Sequence, residues 1–300
     1  MSVLSEEDRA FWDENGYVII HDAVPAKNIK AAENAIWEFL EMQPDNPDSW
    51  YPDPPRKNIT MEMYQHQALW DNRQYPRIHQ AFAEIWGTDR LWVSIDRASM
   101  NPPDRTSPKE AGKLNGDSHS KKPIPLPLHW DIAVEPPIPF CVQGVLYLTD
   151  TAADGGAFIC VPGFHRKLEA WLANLPADAD PRKQDLMSLG ATPIPGKAGD
   201  LIIWHSSLPH GASLNTRSYP RVVQYITMFP VKEKDENILT HRVNAWRNNL
   251  AGLIVEATDS TWELRKEKEH AVGQTANLSP LGRKLLGLDR WENANAQQDL

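Results

Sequence analysis

The spacing of apolar and polar positions changes along the chain. Ser5 is followed three residues later by Asp8, a capping-box spacing with Asp in place of the usual Glu or Gln, and predicts a short helix over 5–14 that Gly16 stops. Tyr17-Val18-Ile19-Ile20 predicts a strand. Pro25 suits the first turn of a second helix, along which Ile29, Ala32, Ile36, Phe39 and Leu40 recur at helical spacing. A further helix is expected over 76–86, after Pro76. From residue 91 the pattern shortens. Residues 91–100 alternate as a strand would, and strand-like runs follow at 128–134, 140–149, 157–161, 201–205 and 221–229. The turn signals Asp154-Gly155-Gly156, Pro162-Gly163 and Gly199-Asp200 separate them. Helical spacing returns at 237–250 and 280–287. Residues 101–127, rich in Pro, Lys, Ser and Gly, lack an apolar period and predict a long loop of the kind that forms lids. Many short strands with frequent turns favour a barrel or jelly roll over a parallel α/β sheet. The expected architecture is mainly β with flanking α. One domain spans 1–300, with a helical segment to about 90, a β-core over about 91–230 and a helical tail over about 231–300.

Composition narrows the function without naming it. A chain of 300 residues can bury a sizeable core, and its 25 prolines suit short elements joined by fixed turns. The net charge is −9, and basic residues are not gathered into one stripe, which disfavours generic nucleic-acid binding. No basic flank and apolar run of a signal peptide opens the chain, and no stretch is long enough to span a bilayer. A cytoplasmic protein acting on a small molecule, as monomer or homodimer, is the expectation. Cys141 and Cys160 both lie in apolar, strand-like runs and are expected to be buried thiols.

Candidate chemistry begins at His129-Trp130-Asp131. Side chains two apart on a strand share a face, so this pair could grip one cation; alone, it could equally be a surface pair. His210, in Leu208-Pro209-His210-Gly211 after the run 201–205, changes the reading. Two histidines and one carboxylate on one face of a metal leave three positions open, the arrangement of non-haem Fe(II) oxygenases, whereas a structural zinc site would be closed. Arg221 opens an apolar strand eleven residues further on. Its planar fork matches a carboxylate, such as the far end of a dicarboxylic keto acid; an ion pair with an acidic neighbour is the alternative. Gln143 and Tyr147 share a strand face and could touch co-substrate or substrate, or Tyr147 could be a core tyrosine with its hydroxyl satisfied; Arg97 could meet the substrate or form an ordinary ion pair. His165 reads as a loop residue, His205 as core or as support for a ligand, and Trp130 and Trp204 as core packing or the walls of a pocket. The cations Arg105, Lys109, Lys113, Lys121 and Lys122 in the loop could attract an anionic substrate, or simply be solvated.

These pieces in order resemble the phytanoyl-CoA dioxygenase family of Fe(II)/2-oxoglutarate oxygenases. The resemblance is carried by His129-x-Asp131, the run from Asp154-Gly155-Gly156 through Pro162-Gly163-Phe164-His165, the pair Gly199-Asp200, and His210-Gly211 with Asn215 and Arg221. It covers most of residues 5–230. It implies a double-stranded β-helix, a cupin-like jelly roll with helices outside. It also implies Fe(II) on His129, Asp131 and His210, with 2-oxoglutarate and O2 as co-substrates and Arg221 on the distal carboxylate of 2-oxoglutarate. Some members place a hydroxyl two residues after the distal histidine; here that position is Ala212, with Ser213 next to it. Halogenating relatives replace the metal-binding Asp by a small residue; this chain keeps Asp131, which implies hydroxylation or another oxidation. Two other readings remain: a non-redox metal enzyme of cupin type, and a catalytically silent binding protein on the same fold.

Overall fold

The computed structural model describes residues 2–52, 59–105, 126–232, 234–252, 269 and 273–291. The first helix, α1 (Glu6–Asn15), starts as its sequence predicts. The Ser5 hydroxyl accepts from the Asp8 backbone N–H (3.0 Å), and the Asp8 carboxylate accepts from the Ser5 N–H (2.9 Å). Gly16, left-handed at φ 74°, closes the helix on the Trp12 carbonyl. β1 (Tyr17–Ile20), α2 (Ala26–Leu40), β2 (Thr60–Met61), α3 (Gln67–Arg73) and α4 (Pro76–Trp86) follow. The β-rich part contains β3 (Leu91–Val93), β4 (Ala98–Asn101), β5 (Leu126–His129), β6 (Val142–Tyr147), β7 (Phe158–Cys160) and β8 (Thr192–Ile194). It continues with β9 (Leu201–His205), β10 (His210–Ala212), β11 (Arg221–Tyr225) and β12 (Met228–Pro230). Helices Glu236–Arg247 and Pro280–Leu286 lie beyond them.

The strands form a six-stranded sheet in the order β1-β9-β6-β11-β4-β2, a four-stranded sheet in the order β5-β10-β7-β8, and the pair β12-β3. Alternation along each central strand explains how they stack. Val145, Tyr147, Ile202, Trp204 and Val223 of the large sheet pack with Leu128, Phe158 and Cys160 of the small sheet, filling the space between the two. Their neighbours Leu146, Leu201, Ile203 and Val222 point the other way, into a second core shared with Ile36 of α2, Leu69 of α3 and Phe82 of α4. Both faces of the large sheet are therefore covered. Its strands read as continuous apolar runs for that reason, not as clean alternation. This is the expected mainly-β jelly-roll core with flanking helices, although the sheets do not close into a barrel.

Several expected elements differ in detail. The run 91–100 is two strands: β3 pairs with β12, whereas β4 lies in the large sheet beside β11. The run 221–229 divides in the same way at Ile226-Thr227, so two neighbouring strands leave the large sheet together. β5 ends at His129, where 128–134 was expected as one strand. Beyond it the Arg182 guanidinium takes the carbonyls of Trp130 and Ile132 (2.6 Å each), so those oxygens are satisfied without a strand partner. β2, α3, β8, β10 and a short helix at Leu168–Ala173 were not expected from the pattern; at two to seven residues they hold too few periods to declare themselves. Of the long loop, residues 106–125 lie outside the described residues, and Lys109, Lys113, Lys121 and Lys122 with them. Arg105 is described: its guanidinium lies 3.6 Å from the Tyr51 ring centroid and pairs with Asp48. Cys141 and Cys160 are free thiols, the first half-buried and the second buried. Among the described residues no helix is long and apolar enough to cross a membrane.

Candidate metal centre

β5 and β10 are antiparallel neighbours in the small sheet, and their register places His129 directly opposite His210. Paired residues across an antiparallel ladder project to the same side, and the two imidazole rings lie 4.8 Å apart between centroids. Asp131, where the chain bends after β5, supplies the third group. Its carboxylate oxygens lie 3.5 Å from His129 Nε2 and 3.3 Å from His210 Nε2. Ligand atoms of all three residues fall within 4.8 Å of one another. Two ligands at right angles about a metal, each at roughly 2.1 Å, are about 3 Å apart; the two Asp131–histidine separations are close to that, and the wider spread of up to 4.8 Å has to contract around an ion. His210 is buried, and its Nδ1 lies 3.0 Å from the Leu208 carbonyl oxygen. A carbonyl only accepts, so Nδ1 donates to it, and a bound cation would take the Nε2 lone pair in place of a proton.

Asp131 is held from several directions. Arg182 fixes the carbonyls on either side of it. The Trp130 indole N–H donates to the Ser207 carbonyl (2.8 Å), tying the bend to the chain just before β10. The Gln143 amide donates to Asp131 Oδ2 (2.7 Å). Burial acts to raise the Asp131 carboxyl, but the His210 hydrogen bond and charge, the Gln143 amide and His129 outweigh it and hold it well below the usual carboxylate range. The carboxylate is thus ready to bind a cation at neutral pH. Groups that steady a ligand typically contribute about 10–100-fold to metal affinity. Gln143→Leu is therefore expected to weaken Fe(II) binding by about that factor in an anaerobic metal titration while leaving the fold intact.

Arg221, at the start of β11, is buried on the inter-sheet face. One guanidinium nitrogen reaches the Ser99 hydroxyl at 3.4 Å, and its Nε has no hydrogen-bond partner. Trp204 Nε1 and Gln143 Oε1 are also buried without partners, and they sit on adjacent strands in direct register. Trp204 packs its ring 5.0 Å from that of His210. Unpartnered buried polar groups are rare in proteins and cost free energy. Three of those in this protein, on Gln143, Trp204 and Arg221, lie on strands of the large sheet beside the candidate ligand residues, and others lie elsewhere.

The other expected site residues are placed differently. Tyr147 is fully buried; its hydroxyl donates to the Ile194 carbonyl and accepts from the Phe158 N–H, both at 2.8 Å. Burial pushes that phenol far up, partly offset by Arg221. It acts as a brace between the sheets, and its hydroxyl has no capacity left for a substrate. Gln143 reaches Asp131, where contact with co-substrate or substrate was expected. Arg97 lies beside Asp96, with Nε 3.8 Å from its carboxylate, in the segment joining β3 to β4. Burial raises the Asp96 carboxyl, the Arg97 N–H and charge and Arg73 act against it, and the charge of Asp131 adds a small rise. His205 is core: its Nδ1 accepts from the Ser207 N–H, and burial together with His165 pushes its pKa down to about 4. Arg182, Asp96 and Ser99 carried no signal in the sequence. Arg182 comes from a turn some fifty residues away, and Ser99 belongs to a run read only as a strand, where it is fully buried.

A jelly roll that brings two histidines and one carboxylate together on a single face has the donor set of a facial-triad metal site. The chain belongs to the phytanoyl-CoA dioxygenase (PhyH) family, whose model matches residues 12–223. A Dictyostelium discoideum protein named "Putative phytanoyl-CoA dioxygenase" is 23% identical over 297 residues, covering 83% of this chain and 81% of that one. Among solved structures, GlcNAc Inducible Gene 2 of Candida albicans superposes with a TM-score of 0.70 at 15% identity, over 98% of this chain and 78% of the other. The epimerase SnoN, solved in complex with Fe3+, alpha ketoglutarate and nogalamycin RO, gives 0.50 at 16% identity over 75% and 83% of the two chains.

Proposed function

We propose that this protein is an Fe(II)/2-oxoglutarate-dependent dioxygenase that hydroxylates, or otherwise oxidises, an unactivated C–H bond of a small molecule, releasing succinate and CO2. The observation that carries this reading is Arg221. It is a buried guanidinium with an unsatisfied Nε and, among the described residues, no carboxylate in an ion pair with it. Burying such a charge without an anion is costly, and a dicarboxylic co-substrate supplies the anion. Family membership and the donor set at His129, Asp131 and His210 point the same way.

His129, Asp131 and His210 would hold Fe(II). Bound iron supplies the redox chemistry, coupling O2 reduction to decarboxylation of the keto acid. The protein's own groups position the reactants. Arg221 fixes the far carboxylate and so sets how the keto acid approaches the triad. Gln143 and Arg182 keep Asp131 in place. Trp204 and Phe158 wall the site beside His210 and exclude water. Arg97 is assigned to the substrate. Retention of Asp131 makes hydroxylation the default outcome.

The test is a screen of small molecules for stimulated succinate release, with Fe(II), O2 and 2-oxoglutarate all required. Turnover supported by Zn(II) without 2-oxoglutarate would replace this reading by a non-redox one. Failure to bind either Fe(II) or 2-oxoglutarate by calorimetry would reduce the protein to a silent member of the fold.

A further inference from the structure

Relatives that place a hydroxyl two residues after the distal histidine gain a second donor for the co-substrate. In this chain the position is Ala212, and the neighbouring Ser213 hydroxyl donates to the Ala153 carbonyl (2.8 Å), so neither residue serves. A replacement donor stands directly across the ladder from Arg221. Asn101, the last residue of β4, is the register partner of Arg221 in β11. Paired residues on an antiparallel ladder share a face, with Cα atoms about 5 Å apart. The contact from Arg221 to Ser99, two residues before Asn101, fixes that face as the inward one. Asn101 is 3% exposed, and its Nδ2 has no partner. Two buried N–H donors, Arg221 Nε and Asn101 Nδ2, thus stand unsatisfied on adjacent strands at one end of the inter-sheet space.

Asn101 is built into this position by residues of the turn that carried the family resemblance. Gly156 has φ +79°, and a Cβ there would lie 2.5 Å from Asn101 Nδ2, so the glycine both makes the turn and leaves room for the amide. The Asn215 amide donates to the Asn101 backbone carbonyl (2.9 Å) and to that of Tyr219 (3.0 Å). The backbone of Asn101 is therefore held from the far side while its side-chain N–H is left to find an acceptor.

From this geometry we infer that Asn101 is a second donor to the distal carboxylate of the keto-acid co-substrate, taking the part that a hydroxyl after the distal histidine plays elsewhere. The inference rests on the co-substrate reading above and adds to it the residue that completes the carboxylate's donors.

The experiment is calorimetric titration of the Fe(II)-loaded protein, without oxygen, with 2-oxoglutarate and with 2-oxovalerate, which has the same chain length but no distal carboxylate. Wild type should prefer 2-oxoglutarate. In Asn101→Leu its affinity should fall about tenfold, the loss expected for one hydrogen bond to a charged group, while that for 2-oxovalerate is unchanged. Asn101→Asp keeps the shape, sets an acceptor against the carboxylate and should lose more; it also decides the matter if the leucine variant does not fold. An unchanged preference in the variants, or an equal loss for both ligands, overturns the role of Asn101 and leaves the co-substrate reading intact. A wild-type protein that binds the two ligands equally overturns both.

Discussion

In His210→Ala, Fe(II) binding and 2-oxoglutarate-coupled turnover are both expected to fall to undetectable levels. His210 is the most buried of the three ligand residues, with 6% of its side chain exposed against 38% for His129 and 51% for Asp131. Its orientation is set twice, by the Nδ1 contact to Leu208 and by the ring packing of Trp204 and Phe158. Alanine keeps the β10 backbone but removes a donor that no nearby side chain can replace. Loss of a group that only supports a ligand costs about 10–100-fold in metal affinity, and loss of the ligand itself must exceed that. His205→Ala is the control. His205 lies five residues earlier, contacts Phe140 and His165, and does not join the triad. A His210→Ala protein that bound Fe(II) as wild type does, or a His205→Ala protein that lost it equally, would refute the assignment.

The contrast between these histidines shows what the sequence could and could not reveal. Ten histidines are present, and spacing alone singled out His129 with Asp131 because two residues on a strand share a face. In the structure only His129 is in the strand, and Asp131 faces the same metal position because Arg182 and Trp130 bend the chain there. The pairing was legible; its cause was not, since Arg182 reaches Asp131 from a separate turn. The long runs also read well. Leu201–His205 forms the strand its pattern predicts, and α2 buries Ile29, Ala32 and Ile36 as their spacing requires. Ser99 and Asn101 did not read as site residues: Ser99 lay in a run read only as a strand, and Asn101 fell in the segment read as a loop, whereas it ends β4. Only the packing of β4 between β11 and β2 reveals that both are buried. Tyr147 read two ways, as a substrate contact or as a core tyrosine with a satisfied hydroxyl, and the small sheet settles it as the second.

Arg221→Met is expected to abolish the thermal stabilisation that 2-oxoglutarate gives the metal-loaded protein without making the unliganded protein less stable. The two halves have separate causes. A ligand that binds only the folded state stabilises it by about 2.7 kcal/mol at a hundredfold excess over its Kd. For a chain of this size that is worth about 5 °C in melting temperature. Most of this should depend on Arg221, because the distal carboxylate otherwise meets buried, uncharged surroundings. The unliganded protein, by contrast, carries a buried guanidinium whose Nε is unsatisfied and whose one described hydrogen bond is long. An apolar side chain of similar length removes that desolvation penalty and fills the same space, a replacement that is often neutral or stabilising. The signature is therefore a melting curve that no longer responds to 2-oxoglutarate, set at or above the wild-type value without it. Fe(II) binding should remain, since Arg221 is not among the three residues whose ligand atoms cluster. Should Arg221→Met keep the full 2-oxoglutarate shift, the guanidinium is not the carboxylate's partner. Should it unfold the protein or destabilise it by several kcal/mol without ligand, the arginine is a structural group whose contacts within the chain already balance its charge.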